Sequence, residues 1–418
     1  MSFFATVFTR ALGSRNYRIY FAGQLVSLAG TWMQQIAMIW LAYRLSNSAL
    51  VLGMVGFASQ IPILLLGPFT GVLTDRFDRR RILLFTQSTA MLQALVLAGL
   101  TWLQWISPHW LIGMAFVLGC VNALDVPARQ AFSVQLVDDR ADLPNAIALN
   151  SLLMNAARFV GPALAGFAVA GIGEAWCFVI NAASYLAVLL ALLAIDAKPN
   201  ETARESALLA LRQGFDYALS HADIRARLLT VATLSLLVTP YAVMMPLFSS
   251  EIFHGDARTY GLLIGCAGAG SLLAGLYLAS RKGTEELARR MVAGVIAAGV
   301  ALSLFALNPV LALAFPIVMA LGFAVLLVIA GSNTLIQVRV EDAYRGRVMA
   351  IFSMAFLGIA PLGSFAVGTL AHYAGVQPTL LGCGIATTVI GLLARGRKTS
   401  LRGNQIHGDE SNLPDRPT

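Results

Sequence analysis

Along most of this chain apolar residues run for about 20 positions at a stretch before a short polar break that usually contains arginine. Neither the period of two of a half-buried strand nor the single apolar stripe of a surface helix dominates. Roughly 20 apolar residues are what a helix needs to cross the hydrocarbon core of a bilayer. The pattern predicts twelve such helices, at 18–42, 49–73, 82–105, 110–132, 144–170, 174–195, 228–252, 258–280, 287–306, 309–333, 347–370 and 375–396. The fold class that follows is all-α, a polytopic membrane protein with short loops. Six spans precede and six follow one long interruption. The expected organisation is therefore a bundle over 1–195, a linker over 196–227, a second bundle over 228–396 and a disordered polar tail over 397–418.

Composition agrees. With 58% hydrophobic and 12% charged residues and a mean hydropathy of +0.74, the chain has more apolar surface than a soluble core of its length can bury. Residues 3–8 are too few for a signal-peptide core, and the first long apolar stretch lacks a small-residue cleavage site, so the first span is expected to stay in the mature chain. Cys120, Cys177, Cys266 and Cys383 fall in spans far apart, which suits packing rather than a disulfide framework or a zinc site.

A net charge of +8 raises nucleic acid as a partner, and the distribution of the charge removes it. Placing the N-terminus in the cytoplasm gathers Arg10, Arg15, Arg18, Arg76, Arg79, Arg80, Arg81, Arg140 and the later basic clusters on one side, leaving Arg44 and Arg258 on the other. This positive-inside asymmetry predicts cytoplasmic termini and a cytoplasmic (inner) membrane location.

Residues 134–173 and 336–375 align at a constant offset without gaps. Gln135, Ala148, Ser151, Gly161, Gly166 and Gly173 match Gln337, Ala350, Ser353, Gly363, Gly368 and Gly375. Each segment holds a cytoplasmic loop and the span after it, the fifth in one half and the eleventh in the other, as a parallel repeat about an axis along the membrane normal requires. Between the halves, 196–227 mixes charge with apolar residues at helical spacing, and reads either as an amphipathic helix joining two bodies or as a passive tether.

The densest charge is GVLTDRFDRRR at 71–81, with Gly71, Asp75, Arg76, Arg79 and Arg80 in a Gly-x-x-x-Asp-Arg pattern followed by a basic pair. Topology accounts for the arginines but poorly for Asp75, which can meet the positive N-terminus of a helix. Gly67 and Gly71 form a GxxxG that lets a neighbouring helix approach. Together with SRNYRIYFAGQLVSLAGTWMQQIAMIWLAYRLSNSAL, GFASQIPILLLGPFTGVL and NALDVPARQAF, this loop resembles the major facilitator superfamily, in the twelve-span branch that contains enterobactin and macrolide exporters. The resemblance spans nearly all the chain except the tail. It implies two pseudo-symmetric six-helix bundles rocking about a central site, with the signature loop latching onto the eleventh span when the transporter faces outward. Three departures qualify it: Asp78 stands where the signature has glycine, the second-half copy around Gly275, Arg281 and Lys282 lacks the aspartate, and Ala115 stands near a position where many proton-coupled relatives carry arginine.

Polar side chains inside the spans mark candidate paths, because an intramembrane charge normally faces a partner or a cavity. Asn122, Asp125 and Arg129 share one face of the fourth span, and read as a gate network with Arg76, a structural ion pair or a proton-carrying group. Ser151, Asn155 and Arg158 share a face of the fifth, where Arg158 reads as a substrate contact or a structural charge. Gly161, Pro162 and Gly166 resemble the glycine–proline motif of antiporter fifth spans, which implies tight packing where the halves meet. Gln24, Ser27, Thr31 and Gln35 on the first span, and Asn333 with Gln337 on the tenth, line a path or bond neighbouring helices.

The sequence holds no GxxxxGK[ST], HExxH or CxxC, so neither ATP hydrolysis nor metal chemistry is expected. The expectation is a secondary exporter of drugs or siderophore-like molecules, monomeric, contacting membrane lipid and its small-molecule substrate, without cofactor, and with the proton gradient as the drive. Nutrient uptake by the same fold is the alternative, and a membrane-embedded enzyme a remoter one, since the spans are poor in His, Cys and acids.

Overall fold

The computed structural model describes residues 10–137, 139–195, 207–281 and 283–410. Among them, twelve helices are long and apolar enough to cross a membrane. They are α1 (Arg15–Ser46), α2 (Ala49–Arg76), α3 (Arg79–Trp102), α4 (Pro108–Gln135), α5 (Leu143–Ile172), α6 (Glu174–Ala194), α7 (Ala222–Ile252), α8 (Ala257–Ala279), α9 (Thr284–Leu307), α10 (Leu311–Arg339), α11 (Tyr344–Ala374) and α12 (Val376–Arg395). Several begin before the apolar run that predicted them, α7 at 222 rather than 228, because arginine stems can lie along apolar surface while the guanidinium stays wet.

Local chemistry sets the ends. The Asp78 carboxylate accepts the Arg81 N–H at 2.9 Å and caps α3, which gives this departure from the signature a structural role. Gly173 and Gly375, paired in the repeat, both take positive φ (82° and 88°) and turn α5 into α6 and α11 into α12. Two spans are discontinuous. In α7 the helix stops at Leu237 and resumes at Tyr241 after Pro240, then ends in a π-turn at Phe248–Ile252; in α11 a π-turn occupies Met354–Gly358.

The helices form two bundles of six with matching neighbours. In the first, α2 packs on α4 and α3 packs on α4 and α6; in the second, α8 packs on α10 and α9 packs on α10 and α12. Two seams join the bundles, α5 against α8 and α2 against α11, and the repeat exchanges one seam for the other.

The connecting helix Ala207–Ser220 docks on the second bundle. Tyr217 stacks on Tyr344 at 4.4 Å between ring centroids, its hydroxyl accepts the Glu341 N–H at 3.3 Å, and Ala218 is buried with Ile224, Ile336, Val348 and Ile351. Residues 196–206 lie outside the described residues. Where the tail is expected to be disordered from 397, the last helix continues to Glu410, with no proline before Pro414 to stop it. Residues 411–418 lie outside the described residues.

Candidate functional site

The two seams do not run the full depth of the bundles. Between α2 and α11, contact begins where a Cβ on Gly368 would lie 2.7 Å from Gly53 Cα and 2.8 Å from Ala49 O, and continues through Gly56 against Ser364 and Phe57 against Phe365. It ends at Gly358 against Leu64. Between α5 and α8, Gly166 meets Gly261 (2.9 Å to its Cα), Gly265 meets Phe159, and Gly268 presses against the Arg158 carbonyl. Trp40 of α1 stacks on Tyr260 of α8 near the same end.

Beyond these points Gly67 on α2, Gly275 on α8 and Gly346 on α11 have no neighbour within 4 Å for an added Cβ. All three lie toward the end that carries the 71–81 loop. The close glycine contacts between the bundles therefore gather toward the far end, and none of these three glycines makes one at the basic end. A Cβ on Gly67 would meet nothing within 4 Å, and the close approach on α2 in this structure is made by Gly53. The surroundings of Gly71 and of the Asp75 side chain lie outside the described residues. Of the fifth-span motif, Gly161 lies against Trp32 of α1, while Pro162 and Gly166 lie against Gly261 of α8, on the seam.

On the first bundle's side Asp125 is buried and accepts hydrogen bonds from Thr86 Oγ1 and Gln87 Nε2, both at 2.8 Å. Arg129 Nε lies 3.5 Å from its other oxygen, and Arg129 also donates to Gln24 Oε1 at 3.4 Å. Arg76 is exposed and makes no ion pair with Asp125 among the described residues, and Thr86, Gln87 and Arg129 engage the carboxylate within the first bundle. Arg79 is half-buried, and Arg80 donates to the Leu192 and Leu193 carbonyls at 2.7 and 3.0 Å, neutralising the end of α6.

Beside this cluster a cavity of about 300 Å³ opens between α1, α4 and α5, lined by Gln24, Arg129, Gln130, Asn150, Ser151 and Met154. Two turns further along α5, Arg158 is exposed and interacts electrostatically with Tyr241 of α7, across the bundle boundary. The remaining predicted residues scatter. Thr31 bonds its own helix at the Ser27 carbonyl (2.9 Å), Asn333 accepts from Gln337 on its own helix, Gln35 is exposed, Asn122 is half-buried, and the Asn155 side chain lies outside the described residues.

Sequence reasoning missed a second buried network. Gln34 donates to Gln93 at 2.8 Å and accepts from Asn181 at 2.7 Å, Gln93 donates to the Met114 carbonyl at 3.1 Å, and Ser184 donates to Asn181. It also missed Thr86 and Gln87. In sequence these are isolated polar letters; only the juxtaposition of α1, α3, α4 and α6 makes them partners. Among the described residues no group of His, Cys, Asp and Glu has metal-binding arrangement.

Comparison with known proteins adds to this geometry. The family model described as "Transmembrane secretion effector" matches residues 9–410. The Staphyloferrin A transporter of Staphylococcus aureus (strain NCTC 8325 / PS 47) is 25% identical over 375 residues, covering 89% of this chain and 94% of that protein. The Multidrug efflux pump Tap of Mycolicibacterium fortuitum is 23% identical over 387 residues, covering 88% and 92%. Among solved structures, the nucleoside transporter NupG superposes with a TM-score of 0.72 at 14% identity, covering 90% of this chain and 98% of that one.

Proposed function

The chain belongs to the transmembrane secretion effectors, a family of major facilitator transporters rather than enzymes, and on that premise we propose that it exports amphipathic small molecules, drugs or siderophore-like compounds, by alternating access coupled to proton entry. The observation that carries the reading is that the close glycine contacts between the bundles gather at the far end, which we read as a cleft open at the basic end. With the basic end in the cytoplasm, as the arginine distribution favours, this is the state that loads substrate from inside the cell. Rocking the bundles about the seams then closes the basic end and opens the other.

The rest of the reading follows from residues. Asp125 is the carboxylate in a span interior and the natural candidate to carry a proton. Asp75 and Arg76 would latch onto α11 in the outward-facing state, where the open cleft no longer separates them. Names of relatives that pair a siderophore with drug efflux support the substrate class. The protein works in this scheme as a monomer in the cytoplasmic membrane, without ATP.

The test is inverted membrane vesicles with an interior-acid gradient reported by a pH-sensitive dye, challenged with a panel of drugs and siderophores against vesicles lacking the protein. Protein-dependent collapse of the gradient by one compound is the expected result. Protein-dependent uptake of a labelled compound without collapse would overturn proton antiport and leave export, and no uptake of any compound would overturn export of this class.

A further inference from the structure

Among the described residues no carboxylate pairs with Arg158. Every described acidic residue but Asp125 lies in a loop or within about two turns of a helix end. Asp125 is already engaged by Arg129, Thr86 and Gln87. Arg44 pairs with Glu174 at 3.1 Å, while Arg227, near the start of α7, is buried with one guanidinium N–H on the Met291 sulfur at 3.5 Å and its Nε unsatisfied among the described residues. Arg158 sits at the middle of the thirty-residue α5, where the seam ends and the cleft begins, with Gly268 against its carbonyl and its side chain exposed. Among the described residues it forms no ion pair, and its electrostatic neighbour is the buried Tyr241 of the other bundle.

A cation at mid-membrane persists where something anionic or wet answers it. Guanidinium offers a rigid fork of N–H donors that matches the two oxygens of a carboxylate, and a phenol beside it adds a further O–H donor. Tyr241 is held there by the break in α7 at Pro240, so the two donors come one from each bundle.

We infer that the exported molecule carries a carboxylate or comparable oxyanion, and that Arg158 and Tyr241 bind this group at the apex of the cleft. The inference rests on the export reading and narrows it. An anion bound here touches both bundles at the point about which they rock, so its departure changes the balance between the two states. Neutral and cationic amphiphiles lack the group that answers Arg158 and bind more weakly.

The probe is dansylaminoundecanoic acid, compared with its methyl ester, which keeps the apolar body and removes the charge. Binding to the purified full-length protein is read by dansyl fluorescence, separately from protein-dependent uptake into inverted vesicles. The acid is expected to bind about tenfold or more tighter than the ester, the free-energy equivalent of a charge-assisted hydrogen bond. Arg158→Gln is expected to bring acid binding down to the level of the ester, with an unchanged denaturation midpoint showing that the variant is folded; Arg158→Lys keeps part of the preference and Tyr241→Phe weakens it. Equal binding of acid and ester by the wild type, binding of neither, or an undiminished preference in Arg158→Gln would overturn the inference. Preferential binding of the acid without uptake would sustain the anion site and count against export alone.

Discussion

Replacing Gly261 with alanine puts a methyl group into the α5–α8 seam, where a Cβ would lie 2.8 Å from Gly166 Cα, 3.0 Å from Gly166 N and against the Pro162 carbonyl. These are backbone atoms, so the helices must separate rather than a side chain turn aside. Overpacking of this kind costs about 1 to 3 kcal/mol. The cost falls on the state with the far end joined, because only there do α5 and α8 touch at this depth. A differential of that size moves a two-state equilibrium by about 5- to 150-fold, toward closure of the basic end. Gly99→Ala is the control, since Gly99 lies on α3 outside both seams, its Cβ meets open space, and any gain in helix propensity is common to both states. Spin labels at Val134 and Val338, exposed at the basic ends of α4 and α10, in a background with the four cysteines replaced, read the separation directly by pulsed dipolar spectroscopy. Gly261→Ala is expected to enlarge the short-distance population and Gly99→Ala to leave it unchanged. Identical distance distributions for wild type and both Gly261→Ala and Gly261→Val would refute the claim that the seam holds this state.

Other substitutions probe other contacts. Asp125→Ala strands Thr86, Gln87 and a three-quarters-buried Arg129, and is expected to cost about 2 to 3 kcal/mol, seen as an earlier denaturation midpoint; adding Arg129→Met should restore part of it, and an unchanged midpoint in the single variant would count against the cluster. Arg44→Ala removes a pair whose arginine is 57% exposed, so less than about 1 kcal/mol is expected, shrinking with salt. Tyr217→Ala loses the stack on Tyr344, worth about 1 kcal/mol beyond its buried area, and should speed proteolysis within the connecting helix; a wild-type rate would mean the docking is incidental. Asp75→Asn is expected to lower transport at unchanged membrane abundance, and wild-type transport would refute the latch.

The spans were legible because the hydrocarbon core imposes one rule, a length of apolar residues, on every crossing, and α1–α12 recover all twelve predicted helices. The repeat was legible through Gly166 and Gly368, which occupy equivalent seams. What the letters did not give is which side chains meet. Thr86 and Gln87 lie 39 and 38 residues from the carboxylate they bind, and Gln34 lies 147 from Asn181. A GxxxG such as the one at Gly67 states that a close approach is permitted, not in which conformational state it is used. The break in α7 that positions Tyr241 had a visible signal in Pro240, passed over inside an otherwise apolar run.

The position of Arg158 has a mechanical consequence. The point where the α5–α8 contact gives way to open space divides α5 into arms of about 22 Å on either side at 1.5 Å per residue. A rigid body turning on such a point behaves as a balanced beam, in which each ångström of clearance gained at one mouth is taken from the other. Both mouths of such a beam cannot be wide at once, so leakage is prevented by the geometry of the pivot itself. The same proportion couples the two gates, since cargo too wide for the far mouth would hold the near one ajar.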